Sequence, residues 1–178
     1  MASTRLLTPG DATELAEILS ENREFLAPWE PLRGDDHFTP ERQSALLEQA
    51  LRDHEAGISV PLAVLGPGGR IVGRININNV VRGALQSASI GYWVSGSHNG
   101  RGLATEAVAD ARRIAFEQLG LHRLQAETLI HNTGSQRVLE RNGFTPYGIA
   151  PQYLRIAGRW QDHILYQLLN PEWSEHVS

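Results

Sequence analysis

A chain of 178 residues, 41% of them hydrophobic and 20% charged, is long enough to bury a sizeable core, roughly 70% of the surface its unfolded form would expose. It has no cysteine and no lysine, all 16 basic residues being arginine. Thiol nucleophiles, disulfides, thiolate zinc sites, lysine Schiff bases and P-loop chemistry are therefore excluded. The net charge of −4 is unevenly spread: residues 1–58 carry 12 acids against 5 arginines, and residues 59–178 carry 8 against 11. This balance does not describe a nucleic-acid binder. It describes either two solvated faces, or an acidic half for a cationic partner and a basic half for an anionic one.

In chain order, Arg5 to Leu7 reads as a short strand. Asp11 reads as an N-cap, with Glu14 completing a capping box. Leu15, Ile18 and Leu19 form the apolar stripe of a helix ending near Asn22. The aromatic segment REFLAPWEP follows, broken by Pro28 and Pro31. Thr39 and Pro40 form a cap and N1 pair opening a helix to about Glu55, closed by Gly57. ISVPLAVL and IVGRININNVV are strands separated by the turn GPGG. The second alternates, placing Ile71, Gly73, Ile75 and Ile77 on one face. SASIGYWV is a third strand, and a helix after it runs to about Leu119. HRLQAETLI is the next strand, and NTGSQRVLERNGF a helix stopped by Asn142-Gly143. YLRIAGRWQDHILYQLL closes the chain as a hairpin around Ala157-Gly158. The order β-α-α-β-β-β-α-β-α-β-β implies one α+β domain over residues 1–178, with a mixed, mostly antiparallel sheet. No apolar run approaches the roughly 20 residues of a membrane span. MASTRLLTPGDA lacks the apolar core of a signal peptide. The expectation is a cytoplasmic protein with no membrane partner.

The stretch WVSGSHNGRGLATEAV, Trp93 to Val108, feeds a strand into a helix through Gly96, Gly100 and Gly102, with small Ala104 following in register. Such a junction leaves several backbone N–H groups unpaired and aimed one way, where the helix dipole adds positive potential. A phosphate is the natural occupant of that place, with Gly100, Arg101, Gly102, Leu103 and Ala104 supplying amides and Arg101 a formal charge. A glycine loop without a ligand is the bland alternative. The dinucleotide fingerprint G-x-G-x-x-G fails because position 105 is Thr, and no G-x-x-x-x-G-K-[ST] exists.

GYWVSGSHNGRGLATEAV, then a strand, then HNTGSQRVLERNGF, resembles the GNAT acetyltransferase superfamily. The loop Asn99-Gly100-Arg101-Gly102-Leu103-Ala104 is similar to its Q/R-x-x-G-x-G/A pattern, departing at Asn99. NREFLAPWEPLR, NVVRG and YLRIAGRWQDHILY resemble the RimJ/RimL branch, which acetylates N-termini of ribosomal proteins, and in particular its ribosomal-protein-alanine acetyltransferases. The resemblance spans nearly the whole chain. It implies a GNAT-like fold with helices on both faces of the sheet, and acetyl-CoA as co-substrate with no metal. The diphosphate would lie on Asn99 through Thr105, and the pantetheine arm and acetyl group along Trp93, Val94, Asn132 and Ser135. It implies direct attack by an amine. Glu127 would be the base acting through water, or else a strand glutamate facing solvent. Ser135 would protonate the leaving thiolate, since the tyrosine used elsewhere in the superfamily falls at Leu139. Gln152 stands where RimL-like enzymes have a carboxylate, so that role is empty. Phe25, Leu26 and Trp29 would grip the acceptor, or else pack a short helix onto the core. Arg137 and Arg141 share a helix face and are either solvated or near the adenosine phosphates. Glu106 reads as a first-turn carboxylate favoured by the dipole. The seven histidines, His131 and His163 among them, show no metal-ligand spacing. The implied partner is a protein N-terminus, ribosomal in the closest resemblance, with a small amine such as an antibiotic or polyamine, or a non-enzymatic ribosome-binding role, as alternatives. Direct nucleic-acid contact is not expected, and a homodimer is common in such families.

Overall fold

A computed structural model describes residues 3–174. Seven strands form one sheet in the order β1-β2-β3-β4-β5-β7-β6. They are β1 Thr4–Leu6, β2 Val60–Leu65, β3 Ile71–Val81, β4 Ser87–Val94, β5 Arg123–Leu129, β6 Thr145–Ile156 and β7 Arg159–Leu169. Every neighbouring pair is antiparallel except β4 and β5. The helices are α1 Ala12–Glu21, the single turn α2 Arg23–Leu26, α3 Pro40–Glu55, α4 Leu103–Arg113 and α5 Thr133–Arg141.

Alternation along β2 divides the core in two. Leu62 and Val64 join Ile75, Ile77 and the small stripe Ala107, Val108, Ala111 of α4 on one face, where Leu139 of α5 also packs. Ala63 turns the other way, toward Leu15 of α1 and Leu47 of α3. Helices thus cover both faces. Ile71 does not share the face of Ile75 and Ile77, as strict alternation predicted. A register shift at Val64/Leu65 inserts Val72 as an extra residue. Val72 joins the α4 side and Ile71 the α1–α3 side, because a bulge reverses the side-chain alternation beyond it.

The predicted caps are met in part. Thr39 Oγ1 accepts from the backbone N–H of Arg42 at 3.3 Å, with Pro40 at N1. Asp11 and Glu14 do not form a capping box. A short 3-10 turn, Pro9–Asp11, precedes α1, and the Asp11 carboxylate reaches back to the Thr8 N–H at 2.7 Å and the Arg5 guanidinium at 2.8 Å. Glu14 instead accepts from the Ile71 N–H at 3.0 Å, tying α1 to β3. The helix expected to reach Leu119 is α-helical only to Arg113 and continues as a wide turn, Ile114–Gln118. The Arg82 guanidinium donates to the Leu119 carbonyl at the end of that turn. The last hairpin begins earlier than the sequence suggested, at Thr145, because TPYGIAPQ pairs with β7 through two irregularities that a simple alternation does not reveal.

β4 and β5 are paired only from Ser87/Arg123 to Ile90/Ala126. Beyond that, β4 runs on through Gly91–Val94 and β5 through Glu127–Leu129, each bonded only to its outer neighbour. The parallel pair opens, leaving backbone groups exposed at the centre of the sheet.

Candidate active site

β4 ends at Val94 and the chain enters the glycine loop. Asn22, buried where α1 ends, holds the loop's first turn. Its Oδ1 accepts from Ser95 Oγ at 3.0 Å and from the Gly96 N–H at 2.9 Å, while its Nδ2 donates to the Ile18 carbonyl. Gly100 and Gly102 have φ of 73° and 82°, the left-handed region where side chains are strained. Those two turns start α4 at Leu103. Among the described residues, no protein acceptor is recorded for the backbone N–H groups of Gly100 through Thr105. They stand unpartnered at the positive end of an 11-residue helix.

A second helix start faces the same space. Asn132 caps α5, its Oδ1 accepting from the Ser135 N–H at 3.1 Å. Asn142, at the far end of α5, donates to the carbonyls of Thr105 and Val138 and so fixes α5 against the start of α4. The cleft between the two helix starts has a volume of about 600 Å³. Trp93, Val94, Asn99, Gly100, Gly102, Leu103, Ala104 and Thr105 line it, as do Asn132 and Ser135, as expected from sequence. Arg101 does not line it; only its backbone N–H belongs to the unpartnered run. Arg137 and Arg141 lie along the cleft while remaining exposed to solvent.

A smaller chamber of about 340 Å³ lies on the α1–α3 face. The two cavities share Trp29, Tyr92, Trp93, Asn132 and Ser135, so they meet where β4 and β5 part. Glu127 lines the smaller chamber rather than facing bulk solvent. Burial pushes its carboxyl above the ordinary glutamate value, with the Tyr153 hydroxyl opposing. Glu30 lines the same chamber and is also raised by burial, with Arg33 opposing. Of the three residues expected at an acceptor, only Trp29 reaches this chamber. Phe25 and Leu26 line the larger cleft, where Phe25 packs against Gly96 so closely that a Cβ there would lie 3.1 Å from its ring.

At the shared wall the Tyr92 hydroxyl lies 2.9 Å from Ser135 Oγ. Burial pushes the Tyr92 pKa up to about 12, offset in part by that hydrogen bond. Tyr92 therefore keeps its proton at neutral pH. His163 is buried in the smaller chamber with Nδ1 2.9 Å from the Gln161 carbonyl, and His131 stacks 5.6 Å from Trp29. Gln152 is exposed and held by its backbone N–H to Asp162. Glu106 is exposed in the first turn of α4.

A family profile described as acetyltransferase (GNAT) domain matches residues 4–145. The chain belongs to the GNAT acetyltransferase family. Its fold is the GNAT fold, and the chain is an acetyl-CoA-dependent N-acetyltransferase. It is 37% identical over 171 residues to the [ribosomal protein uS5]-alanine N-acetyltransferase of Escherichia coli, covering 96% of this chain and 88% of that protein. The ribosomal-protein-S5-alanine acetyltransferase of Vibrio fischeri superposes with a TM-score of 0.92 at 32% identity, over 97% of this chain and 94% of that one. RimJ of Mycobacterium smegmatis, solved in complex with CoA-disulfide, superposes with a TM-score of 0.90 at 32% identity, over 97% and 83%. Within this GNAT site, the sequence alone did not single out Asn22, Tyr92, Glu30 or Arg74. Only the aromatic run in SIGYWV and the alternation of β3 hinted that Tyr92 and Arg74 project from strands beside the opening.

Proposed function

We propose that this GNAT enzyme acetylates the N-terminal amine of a protein, a ribosomal protein in the reading its relatives favour, by direct attack on the thioester. The observation that carries this is the meeting of the two cavities. A cleft lined by Gly100 and Gly102 through Thr105, whose backbone N–H groups are unpartnered, opens through the gap between β4 and β5 onto a chamber that Glu30 and Glu127 line. The amides and the α4 dipole bind the diphosphate. The backbone groups of Gly91–Val94 that face away from β3, open where β5 has parted, align the pantetheine arm and the acetyl carbonyl.

Glu30 and Glu127 attract a protonated amine, whose pKa near 8 leaves a neutral fraction at cellular pH. Glu127 takes a proton from the ammonium, directly or through water, and a raised pKa suits it to that work. The free amine attacks the acetyl carbon and the C–S bond breaks. Ser135, hydrogen-bonded to Tyr92, passes the sulfur a proton, and the proton lost by the new amide nitrogen restores the pair. Holding both reactants across one gap supplies several kcal/mol by removing the entropy of encounter. The reading places the enzyme in the cytoplasm; no described helix is long and apolar enough to cross a membrane.

The test is an acceptor screen with acetyl-CoA, comparing Ala-initiated peptides with aminoglycosides, polyamines and nucleosides. Acetylation of the peptides at the α-amine, shown by mass spectrometry, is the expected result. Turnover confined to the small amines would replace the protein acceptor with a small one. CoA binding with no turnover on any amine would leave a binding module.

A further inference from the structure

The smaller chamber holds a charged group that acetyl transfer does not use. Arg74 lies on β3 opposite Trp93 of β4, and both side chains line the chamber. Its Nε donates to Asn76 Oδ1 at 2.8 Å, which fixes the guanidinium plane. Among the described residues, no hydrogen bond or ion pair is recorded for Nη1 or Nη2. No polar side-chain atom of the described residues is both buried and unpartnered, so these N–H groups border the open chamber. Burial lowers the Arg74 pKa, yet a guanidinium stays charged in any protein setting. A half-buried cation with no anion bonded to it among the described residues is unfavourable unless something arrives to pair with it. Arg33 lines the same chamber and adds a second guanidinium, while burial holds His37 beside them below the ordinary imidazole value.

The geometry points to Arg74 as the residue that reads the acceptor: its free Nη1–Nη2 fork takes a carboxylate carried by the molecule whose amine lies at Glu127. This rests on the acetyl-transfer reading above. β3 and β5 are two strand spacings apart with β4 between them, roughly 10 Å where the sheet is paired, and farther at Glu127, where β4 and β5 have parted. An extended peptide covers about 3.5 Å per residue, so the matching carboxylate is the side chain of an Asp or Glu at the second or third position. The carboxyl end of a short free amine, such as a dipeptide, carries the same chemistry. A planar fork meeting a carboxylate in two parallel hydrogen bonds is the strong, orientation-specific form of this contact.

The test compares wild type on two Ala-initiated peptides that differ only in Glu or Gln at positions 2 and 3, and on alanyl-glutamate against its fully amidated form. The expected result is a kcat/KM roughly tenfold higher for the carboxylate member, carried mostly by KM. Arg74→Gln erases the preference and Arg74→Lys retains part of it, while CoA affinity by calorimetry stays at the wild-type value and shows that the fold is intact. An Arg74-dependent preference seen only with the dipeptide assigns the carboxylate to a small acceptor. Equal rates for wild type on both members of both pairs would overturn the assignment while leaving acetyl transfer standing. No acetylation of any acceptor would overturn the acetyl-transfer reading and this assignment together.

Discussion

At the scale of single residues, function rests on backbone atoms that side chains must not obstruct. Ala104 lines the cleft one residue into α4, beside the unpartnered amides. Ala104→Glu places a carboxylate where a diphosphate belongs, and CoA affinity falls by about 100-fold or more by calorimetry, since an anion now occupies the helix start. Unchanged affinity would remove the cleft from the reading. Glu127 gives a pH signature. Because Glu127 itself takes the ammonium proton, only the raised Glu127 carboxyl must ionise beforehand, and the amine near pH 8 can arrive protonated. In wild type, log kcat/KM against pH is therefore level below about pH 8 and falls with a slope of about 1 only below the Glu127 pKa. Glu127→Gln lowers the rate and needs an amine already neutral in solution, so its slope of about 1 extends up to about pH 8. A level stretch that persists in the variant would acquit Glu127 as the base.

At the scale of elements, the site is assembled by loops that other elements hold. The Asn22 side chain satisfies Ser95 and Gly96 at once, so the end of α1 sets the start of the glycine loop. Asn22→Ala leaves buried donors unpaired and destabilises the fold by about 1–3 kcal/mol by denaturant titration, weakening CoA with it. The β6–β7 turn makes the opposite prediction. Ala157 and Gly158 both have positive φ, 48° and 82°, as a two-residue hairpin turn requires. Ala157 is exposed there, and its N–H donates to the Glu30 carbonyl, docking the turn on the segment that carries Trp29 and Glu30. Asparagine adopts this conformation more readily than alanine, so Ala157→Asn stabilises by roughly 0.5–1 kcal/mol, with a rise in Tm of about 2 °C. A fall in Tm would show that the strain is not at that residue.

At the scale of the whole molecule, the chamber proposed for the acceptor holds charge the fold would be more stable without. Burial raises the carboxyls of Glu30 and Glu127. Groups with folded-state pKa above the unfolded value bind protons on folding, so stability is lost as pH rises from near 4.3 through the raised values. Above that window the full penalty applies; below it both states are protonated. Glu30→Gln and Glu127→Gln therefore raise Tm at pH 8 and leave it unchanged near pH 4, each kcal/mol recovered being worth roughly 3 °C. An equal gain at both pH values would assign the effect to packing. Asp11 works in the other direction: its hydrogen bond to Arg5 lowers its pKa, so its contribution is present above about pH 4 and lost as pH falls through the lowered value.

The sequence by itself determined most strands and helices and the glycine loop, because each of those is written in local chemistry. Ile75 and Ile77 alternate, Thr39-Pro40 caps, Gly100 and Gly102 turn left-handed, and Asn142-Gly143 stops a helix. Only the tertiary structure decided that Ile71 crosses to the other face at a bulge, that Phe25 and Leu26 serve the larger cleft while Trp29 reaches both cavities, and that Tyr92 meets Ser135. It also decided that Arg74, one arginine among 16 in the chain, lines the smaller chamber with no acidic partner among the described residues. Those facts follow from how far β4 and β5 stay paired. Register and separation between distant strands come from the packing of both sheet faces at once, which no short window of residues contains.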